Sequence, residues 1–240
     1  MQLAILVTNT DLSTFAHRHP LDGEKFATMI KSVRPDWSCT AFEVHQDEFP
    51  PDLADFDGII ITGSPASVHD GAPWGARLLE LIRQTDLPIF GACYGHQAIA
   101  LALGGEVSDN PHGWSFGLVQ SEVTDPADWM AEIGPSYQQF AAHKEQVTRL
   151  PVGARVIAQA PGVPCAGFAI GDRVYTTQNH PEMTPAFFEA LLEEFGQDLG
   201  PDVAERAKVS LGPAPENAAY AETVAAFFEQ AAGQVAGQDM

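Results

Sequence analysis

A cysteine between two glycines is the feature of this sequence that most suggests chemistry. Gly91, Cys93 and Gly95 form the pattern G-x-C-x-G where an apolar run gives way to an alanine-rich stretch. A strand that turns sharply into a helix projects a nucleophile from its carboxyl end, and flanking glycines leave space for the turn and for helix–strand packing. The start of a helix also favours a thiolate. A small buried residue is the usual alternative for a free cysteine, but the glycine spacing favours a nucleophile.

A thiol nucleophile needs a base, and the base needs a group that orients it. The chain has eight histidines. Five lie beside polar or loop segments and are predicted to be solvated: His17, His19, His45, His69 and His112. His96 follows Cys93 so closely that a helix should turn it away from the thiol. His143 and His180 remain as candidate bases.

His180 is the better candidate because of the residues around it. It follows the strand-like run 173–178, and Pro181 forces it into an extended conformation. Residues two apart in an extended segment point to the same side. The carboxylate of Glu182 is therefore expected to be able to hold the imidazole of His180.

The elements that must position these residues alternate through the first hundred positions. Strands are predicted at 3–8, 38–44, 58–62 and 88–92, and helices at 23–33, at 74–84 and after Cys93. Strand–helix–strand alternation of this kind predicts a parallel sheet with helices on both faces.

The pattern changes in the second half of the chain. Short runs between Gly, Pro and Asp at about 106–178 predict antiparallel strands. Helical spacing returns at 184–195, where Thr184 is suited to the N-cap and Pro185 to the first helical position, and again at 216–232. The fold class predicted is α/β, with a mostly parallel central sheet flanked by helices, a small antiparallel sheet and a C-terminal helical extension.

Composition excludes several classes of partner. Twelve basic and 32 acidic residues give a formal charge of −20, which repels phosphate backbones and anionic lipid. We therefore expect neither nucleic acid nor a membrane as partner.

The first ten residues read as a strand and not as a signal peptide, and three scattered cysteines suit neither disulfides nor zinc. The sequence predicts a cytoplasmic protein without metal or cofactor, and the lack of a glycine-rich phosphate loop argues against ATP binding.

Two segments together resemble a known family. The stretches 91–97 (GACYGHQ) and 180–182 (HPE) resemble the class I glutamine amidotransferases with a Cys-His-Glu triad, and the resemblance extends over residues 1–195. It implies a flavodoxin-like sheet. It also implies that Cys93 attacks the side-chain amide of glutamine, that His180 transfers the proton and that Glu182 orients His180. Ammonia then leaves, and water hydrolyses the γ-glutamyl thioester to glutamate.

The resemblance implies further site residues. The stretch 61–68 (ITGSPASV) is similar to the family segment that places the backbone N–H of Gly63 in an oxyanion hole, whose second donor is the N–H of Tyr94. Ser64, in the same stretch, is predicted to bind the substrate. Gln97 is similar to the glutamine that holds the amino-acid end of the substrate, although an exposed helix residue is the alternative. The segment 141–151 is similar to the family's substrate loop.

That loop also contains a departure from the family pattern. Ala142 stands where a polar residue is common, so only a backbone contact of Ala142 with the substrate would be preserved. Ala142 and His143 are the predicted substrate-binding residues of this loop, and His143 is expected to be structural or to support the site rather than to be catalytic.

The last part of the chain carries the least information. Residues 1–195 are predicted to form the amidotransferase-like domain, with 196–240 packed on it as a helical extension. Ten acidic and two basic residues follow Glu182, which is consistent with a helical cap or with a docking surface for a basic partner. Members of the family usually deliver ammonia to a synthetase, so a separate synthetase subunit is an expected partner.

Three functions remain open at this point. The chain most resembles the free-standing GMP-synthase-like branch, which implies a glutamine-hydrolysing enzyme. A γ-glutamyl peptidase would use the same thioester with another leaving group. A binding or regulatory module on the same fold would need no triad, so the presence of Cys93, His180 and Glu182 argues against it.

Overall fold

Strands and helices alternate around one large sheet, and the computed structural model describes residues 1–238, with side chains to residue 233. The strands are β1 (Gln2–Leu6), β2 (Ser38–Phe42), β3 (Gly58–Ile61), β4 (Ile89–Ala92), β5 (Glu106–Asp109), β6 (Ser115–Val123), β7 (Ser136–His143), β8 (Glu145–Arg149), β9 (Arg155–Ala160), β10 (Val163–Ile170) and β11 (Val174–Thr177). The helices are α1 (Asp22–Val33), α2 (Pro73–Gln84), α3 (Tyr94–Ala102), α4 (Pro185–Phe195), α5 (Pro201–Ser210) and α6 (Asn217–Gln238).

Five strands form the parallel part of the sheet, in the order β2-β1-β3-β4-β11. Strands β3 and β4 are buried throughout because helices cover both faces, as their continuous apolar sequences predict. Ala92 pairs with Thr177, so the carboxyl ends of β4 and β11 lie side by side. The predicted α/β fold is confirmed, and these two strand ends bring the distant segments around Cys93 and His180 together.

The antiparallel strands extend the same sheet. Beyond β11 the order continues β10-β9-β6-β7, with antiparallel pairing at each step. Strands β5 and β8 pair separately as a small antiparallel sheet. The sequence predicted antiparallel strands in this region but did not indicate that most of them continue the central sheet.

Each face of the sheet carries its own apolar core. Helices α1 and α6 pack on one face, and α2 and α3 pack on the other. Among the described side chains of α6, the buried apolar ones are Tyr220, Ala221, Val224, Ala225, Phe227, Phe228 and Ala231. Helix α6 therefore covers one face of the central sheet.

The C-terminal helices differ in how well the sequence predicts them. Helix α4 begins as expected, since Thr184 Oγ1 accepts a hydrogen bond of 3.2 Å from the N–H of Phe187. Helix α5 has no counterpart in the sequence prediction. It packs on β6, where Ser210 Oγ accepts a hydrogen bond of 2.8 Å from the N–H of Leu118. The division of the chain at residue 195 stays a prediction. In the described part of the chain, no helix is both long and apolar enough to cross a membrane.

Candidate active site

Cys93 lies in a strained turn between β4 and α3. Its φ of 50° and ψ of −103° are unusual for a residue with a side chain. The N–H of Cys93 donates to the carbonyl of Thr177 at 2.9 Å, and the N–H of Gly95 donates to the carbonyl of Thr62 at 3.1 Å. These bonds to two neighbouring strands hold the turn in place, and strain of this kind is concentrated at functional sites.

The two glycines of the G-x-C-x-G pattern are required by close packing. A Cβ on Gly91 would lie 2.7 Å from the carbonyl carbon of Gly95. A Cβ on Gly95 would press on the carbonyl oxygen of Ile61 in β3. Helix α3 therefore approaches the sheet closely enough to place its first turn directly over the strand ends.

His180 and Glu182 meet in a buried hydrogen bond beside this turn. His180 Nδ1 lies 2.7 Å from Glu182 Oε1, and only 7% of the His180 side chain and 1% of the Glu182 side chain are exposed. The N–H of His180 donates to the carbonyl of Phe140 in β7 at 2.9 Å. Because a carboxylate accepts, Nδ1 carries the hydrogen and Nε2 is left for another partner.

Charge keeps the His180 ring protonated despite its burial. Burial lowers the pKa of His180, but the carboxylate of Glu182 and the sulfur of Cys93 outweigh burial and raise the pKa well above its ordinary value. At neutral pH the ring is therefore an imidazolium next to the Cys93 sulfur. An imidazolium in this position stabilises a thiolate.

Two backbone N–H groups border the same space. A Cβ on Gly63 would lie 2.8 Å from Cε1 of His180 and 3.5 Å from Cβ of Cys93. The carbonyl of Thr62 is held by Gly95, so the N–H of Gly63 on the same peptide points the opposite way. Within residues 1–238 neither this N–H nor that of Tyr94, the first residue of α3, donates a hydrogen bond to the protein. Both are free to bind an oxyanion.

Gln97 is buried and not the exposed helix residue of the alternative interpretation. Its side-chain nitrogen donates to the carbonyl of Glu145 at 2.9 Å and to Oε1 of Gln178 at 3.2 Å. The carbonyl of Glu145 also lies 2.9 Å from Nδ1 of His143. Gln97, one turn after Cys93, thus connects α3 to the start of β8.

Two further buried histidines stay neutral. Burial lowers the pKa of His143 to about 4. The hydrogen bond to the Glu145 carbonyl opposes this shift, and the nearby positive charge of His180 adds to it. Burial also lowers the pKa of His96 to about 3, with a contribution from His143. His96 points away from Cys93 and lies 2.9 Å from Oγ1 of Thr176, as its helical position predicts. His180 is therefore the charged member of this group at neutral pH.

In the described part of the chain, neither Ser64 nor Ala142 has a side-chain hydrogen bond to Cys93, His180 or Glu182. Ser64 Oγ accepts a hydrogen bond of 3.1 Å from the N–H of Ala66, so it stabilises its own turn. Ala142 pairs with Phe116 in the β6–β7 ladder and is partly exposed. One histidine prediction is wrong. The side chain of His45 is 7% exposed, and its Nδ1 lies 3.4 Å from Oε2 of Glu43 and 3.4 Å from the carbonyl of Val7, just after β1.

Comparison with known proteins places this site in a family. The family model "Glutamine amidotransferase class-I" matches residues 27–198, which include the turn at Cys93 and the His180–Glu182 pair. The chain belongs to the class I glutamine amidotransferases. Among the residues that the structure describes, no group of three or more His, Cys, Asp or Glu side chains could hold a metal ion.

Relatives of this class I amidotransferase chain include the glutamine-hydrolysing GMP synthases. That of Rhodopseudomonas palustris is 39% identical over 129 residues, which cover 52% of this chain and 23% of the relative. That of Aeropyrum pernix is 36% identical over 129 residues, with 52% and 24% covered. The chain thus spans about a quarter of the length of the curated relatives it matches.

Solved structures show the same fold at low identity. A glutamine amidotransferase from Methylobacillus flagellatus superposes with a TM-score of 0.76 at 21% identity and covers 96% of this chain and 94% of its own. One from Thermotoga maritima gives a TM-score of 0.74 at 17% identity, with 95% and 98% covered.

Some residues that hold the amidotransferase site escape sequence reasoning. The carbonyls of Thr177, Phe140 and Glu145 fix Cys93, His180 and Gln97 respectively. A backbone carbonyl leaves no signal in residue type. Gln178 was detectable in principle, since a polar residue at the end of a buried strand marks the edge where parallel strands place their sites.

Proposed function

We propose that this chain hydrolyses the side-chain amide of glutamine through a γ-glutamyl thioester on Cys93 and releases ammonia. The observation that carries the proposal is the buried hydrogen bond of 2.7 Å between His180 and Glu182 beside a cysteine in a strained turn. Membership of the class I glutamine amidotransferases supports the same reaction. Cys93 is the proposed nucleophile, His180 the acid and base, and Glu182 the group that orients His180.

The first half-reaction begins with attack by the Cys93 thiolate on the amide carbon of glutamine. The carbonyl oxygen becomes an oxyanion, which the N–H groups of Gly63 and Tyr94 stabilise. The His180 imidazolium gives its Nε2 proton to the amide nitrogen. The C–N bond then breaks, ammonia leaves, and the thioester remains on Cys93.

Water completes the cycle. Neutral His180 accepts a proton from the water as its oxygen attacks the thioester, and the same two N–H groups stabilise the second oxyanion. The C–S bond breaks, and glutamate leaves with the Cys93 thiolate and His180 imidazolium restored. Glu182 keeps Nδ1 protonated throughout, so Nε2 is the atom that exchanges protons.

The substrate's amino-acid end is proposed to lie between Gln97 and the 142–143 segment. Both hydrogens of the Gln97 amide bind protein oxygens, which leaves Oε1 for the substrate's ammonium group. His143 donates from Nδ1 to a carbonyl, so its Nε2 is an acceptor. Ala142 would contribute backbone only, and Ser64 would line the opposite side.

The fate of the ammonia is proposed from the relatives. Those relatives are GMP synthases described as glutamine-hydrolysing, and this chain matches about a quarter of their length. We propose that ammonia passes to a separate synthetase subunit.

Three unpaired cysteines suit a reducing compartment, which supports a cytoplasmic location.

The test measures both products and two substrate classes. Wild type should release equal amounts of ammonia and glutamate from glutamine, and Cys93→Ala should release neither. γ-Glutamyl dipeptides report on the other leaving group, since the same thioester would form from them. Faster release of amino acid from the dipeptides than of ammonia from glutamine would overturn the glutaminase assignment in favour of a γ-glutamyl peptidase.

A further inference from the structure

Asn217, the first residue of α6, contacts the segment that carries Glu182. Its side-chain nitrogen donates a hydrogen bond of 2.6 Å to the carbonyl of Met183, the residue directly after Glu182. Asn217 lies outside the 27–198 region that matches the family model. Helix α6 therefore contacts the loop that carries Glu182 at one specific peptide group.

The carboxylate of Glu182 has little else to hold it. Its Oε1 accepts from His180, whereas its buried Oε2 has no hydrogen-bond partner among residues 1–238. The orientation of the carboxylate consequently depends on the backbone at residues 182 and 183. The N–H of Met183 reaches the carbonyl of His180 only at 3.4 Å, so the bond from Asn217 is the shorter of these two contacts of the Met183 backbone.

Helix α6 is firmly anchored near Asn217. The N–H of Glu216 donates to the carbonyl of Gln138 at 2.9 Å, and the Glu216 carboxylate accepts from the N–H of Gln138. One turn later, the ring of Tyr220 packs 5.2 Å from that of Tyr137 and 5.8 Å from that of Tyr175. Asn217 thus extends from a rigid support, which a positioning residue requires.

We propose that Asn217 is a positioning residue for the triad, holding the Met183 peptide so that the Glu182 carboxylate meets the His180 ring. It acts through Glu182 and is not a catalytic residue. The turnover part of its test rests on the proposed function. The thiol-reactivity part does not, because it needs no glutamine.

The consequence concerns the charge on His180. The ionisable groups that face this ring are Glu182 from its own loop, Cys93 from the turn after β4 and His143 from β7. Without the hydrogen bond from Asn217, the Glu182 carboxylate moves away from Nδ1 of His180 and stabilises the imidazolium less. Fewer molecules then hold the thiolate–imidazolium pair, and Cys93 reacts more slowly at mildly acidic pH.

The experiment measures alkylation of Cys93 by iodoacetamide as a function of pH. The variants are Asn217→Ala and Asn217→Ser, the second of which keeps a residue favoured at helix starts while its hydroxyl is too short to reach Met183. Glu216→Ala is the matched control, because it loosens the same end of α6 without removing the bond to Met183. Cys93→Ala supplies the background from other thiols. That background is low, since burial raises the pKa of Cys39, and raises that of Cys165 to about 12.

Both Asn217 variants should move the rising limb of the alkylation profile to higher pH, and Glu216→Ala should leave it in place. In turnover, kcat should fall roughly three- to tenfold, the equivalent of one ordinary hydrogen bond, with KM within about twofold of wild type. The inference is overturned if the rising limb of the alkylation profile is unchanged in both Asn217 variants. It is also overturned if Glu216→Ala shifts that limb equally. If wild-type protein hydrolyses no glutamine but both Asn217 variants still shift the alkylation profile, the proposed function is overturned and the positioning role stays supported.

Discussion

The side-chain nitrogen of Gln97 donates a hydrogen bond of 2.9 Å to the backbone carbonyl of Glu145. The same carbonyl accepts from Nδ1 of His143 at 2.9 Å. One carbonyl oxygen therefore joins α3, the helix that follows Cys93, to the connection between β7 and β8. This contact links the position of that connection to the placement of the proposed substrate pocket.

Gln97→Ala should weaken both the fold and substrate binding. It leaves the carbonyl of Glu145 with one donor and the buried Oε1 of Gln178 with none, so the free energy of unfolding should fall by about 1–3 kcal/mol. KM for glutamine should rise more than kcat falls, because Gln97 is proposed to bind the ammonium end. Denaturant unfolding and steady-state kinetics measure these effects. Gln159→Ala, at an exposed position of β9, is the control and should change neither.

Gly63→Ala should strongly reduce activity without unfolding the protein. The added methyl group would lie 2.8 Å from Cε1 of His180, so either the ring or the oxyanion donor must move. We expect kcat to fall by about 10²–10³, the usual effect of losing one oxyanion-hole donor. Gly212→Ala is the matched control, since its methyl group meets nothing within 4 Å. Wild-type turnover by Gly63→Ala would show that the N–H of Gly63 is not an oxyanion donor.

Glu182→Gln should change the pH dependence of activity. The carboxylate raises the pKa of His180, so its loss lowers that pKa and moves the alkaline limb of kcat/KM to lower pH. The rate itself should fall by about two to four orders of magnitude, because the ring loses its orienting anion. Glu189→Gln, on the exposed side of α4, should retain the wild-type profile.

The same pair should contribute to stability in a defined pH range. A raised pKa in the folded state stabilises the protein below the pKa of about 6.5 of an unfolded histidine, and this contribution is lost as pH rises through the folded pKa of His180. In Glu182→Gln that alkaline loss should flatten. An alkaline slope of the unfolding free energy equal to that of wild type would argue against an imidazolium in the folded protein.

His96 should make the protein sensitive to acid. Burial lowers its pKa to about 3, so the unfolded state binds a proton that the folded state does not between about pH 6.5 and pH 3. Stability is lost as pH falls across that window, and His96→Gln should reduce the slope of the unfolding free energy there. His112→Gln, at an exposed position, should keep the wild-type slope. Comparing slopes removes any constant cost of the substitution itself.

Local pattern predicts much of this fold. Strands β3 and β4 are short apolar runs that only a doubly covered sheet buries, and Thr184 with Pro185 marks the start of α4. The G-x-C-x-G pattern predicts the turn at Cys93. The packing that requires Gly91 is local, against Gly95 and Ile99, whereas Gly95 packs on the distant Ile61 of β3. Helix α5 escapes prediction because it buries only Ala207, so no apolar stripe marks it.

Contacts between distant residues could not be predicted in the same way. The buried side chain of Gln97 donates a hydrogen bond to a carbonyl 48 positions away, and the pattern of one helix does not indicate such a partner. His45 lies beside loop residues in sequence but packs near the end of β1. The pairing of β11 with β4 determines which histidine lies near Cys93, and that pairing is a property of the whole sheet.

The most direct test of the central claim is intact-protein mass spectrometry after treatment with an electrophilic glutamine analogue. Wild type should gain one adduct per chain, located on Cys93 by peptide mapping, and Cys93→Ala should gain none. Glutamine in excess should slow the labelling, because both bind the same site. Folded wild-type protein that gains no adduct, or labelling that persists in Cys93→Ala, would contradict a γ-glutamyl thiol site at this turn.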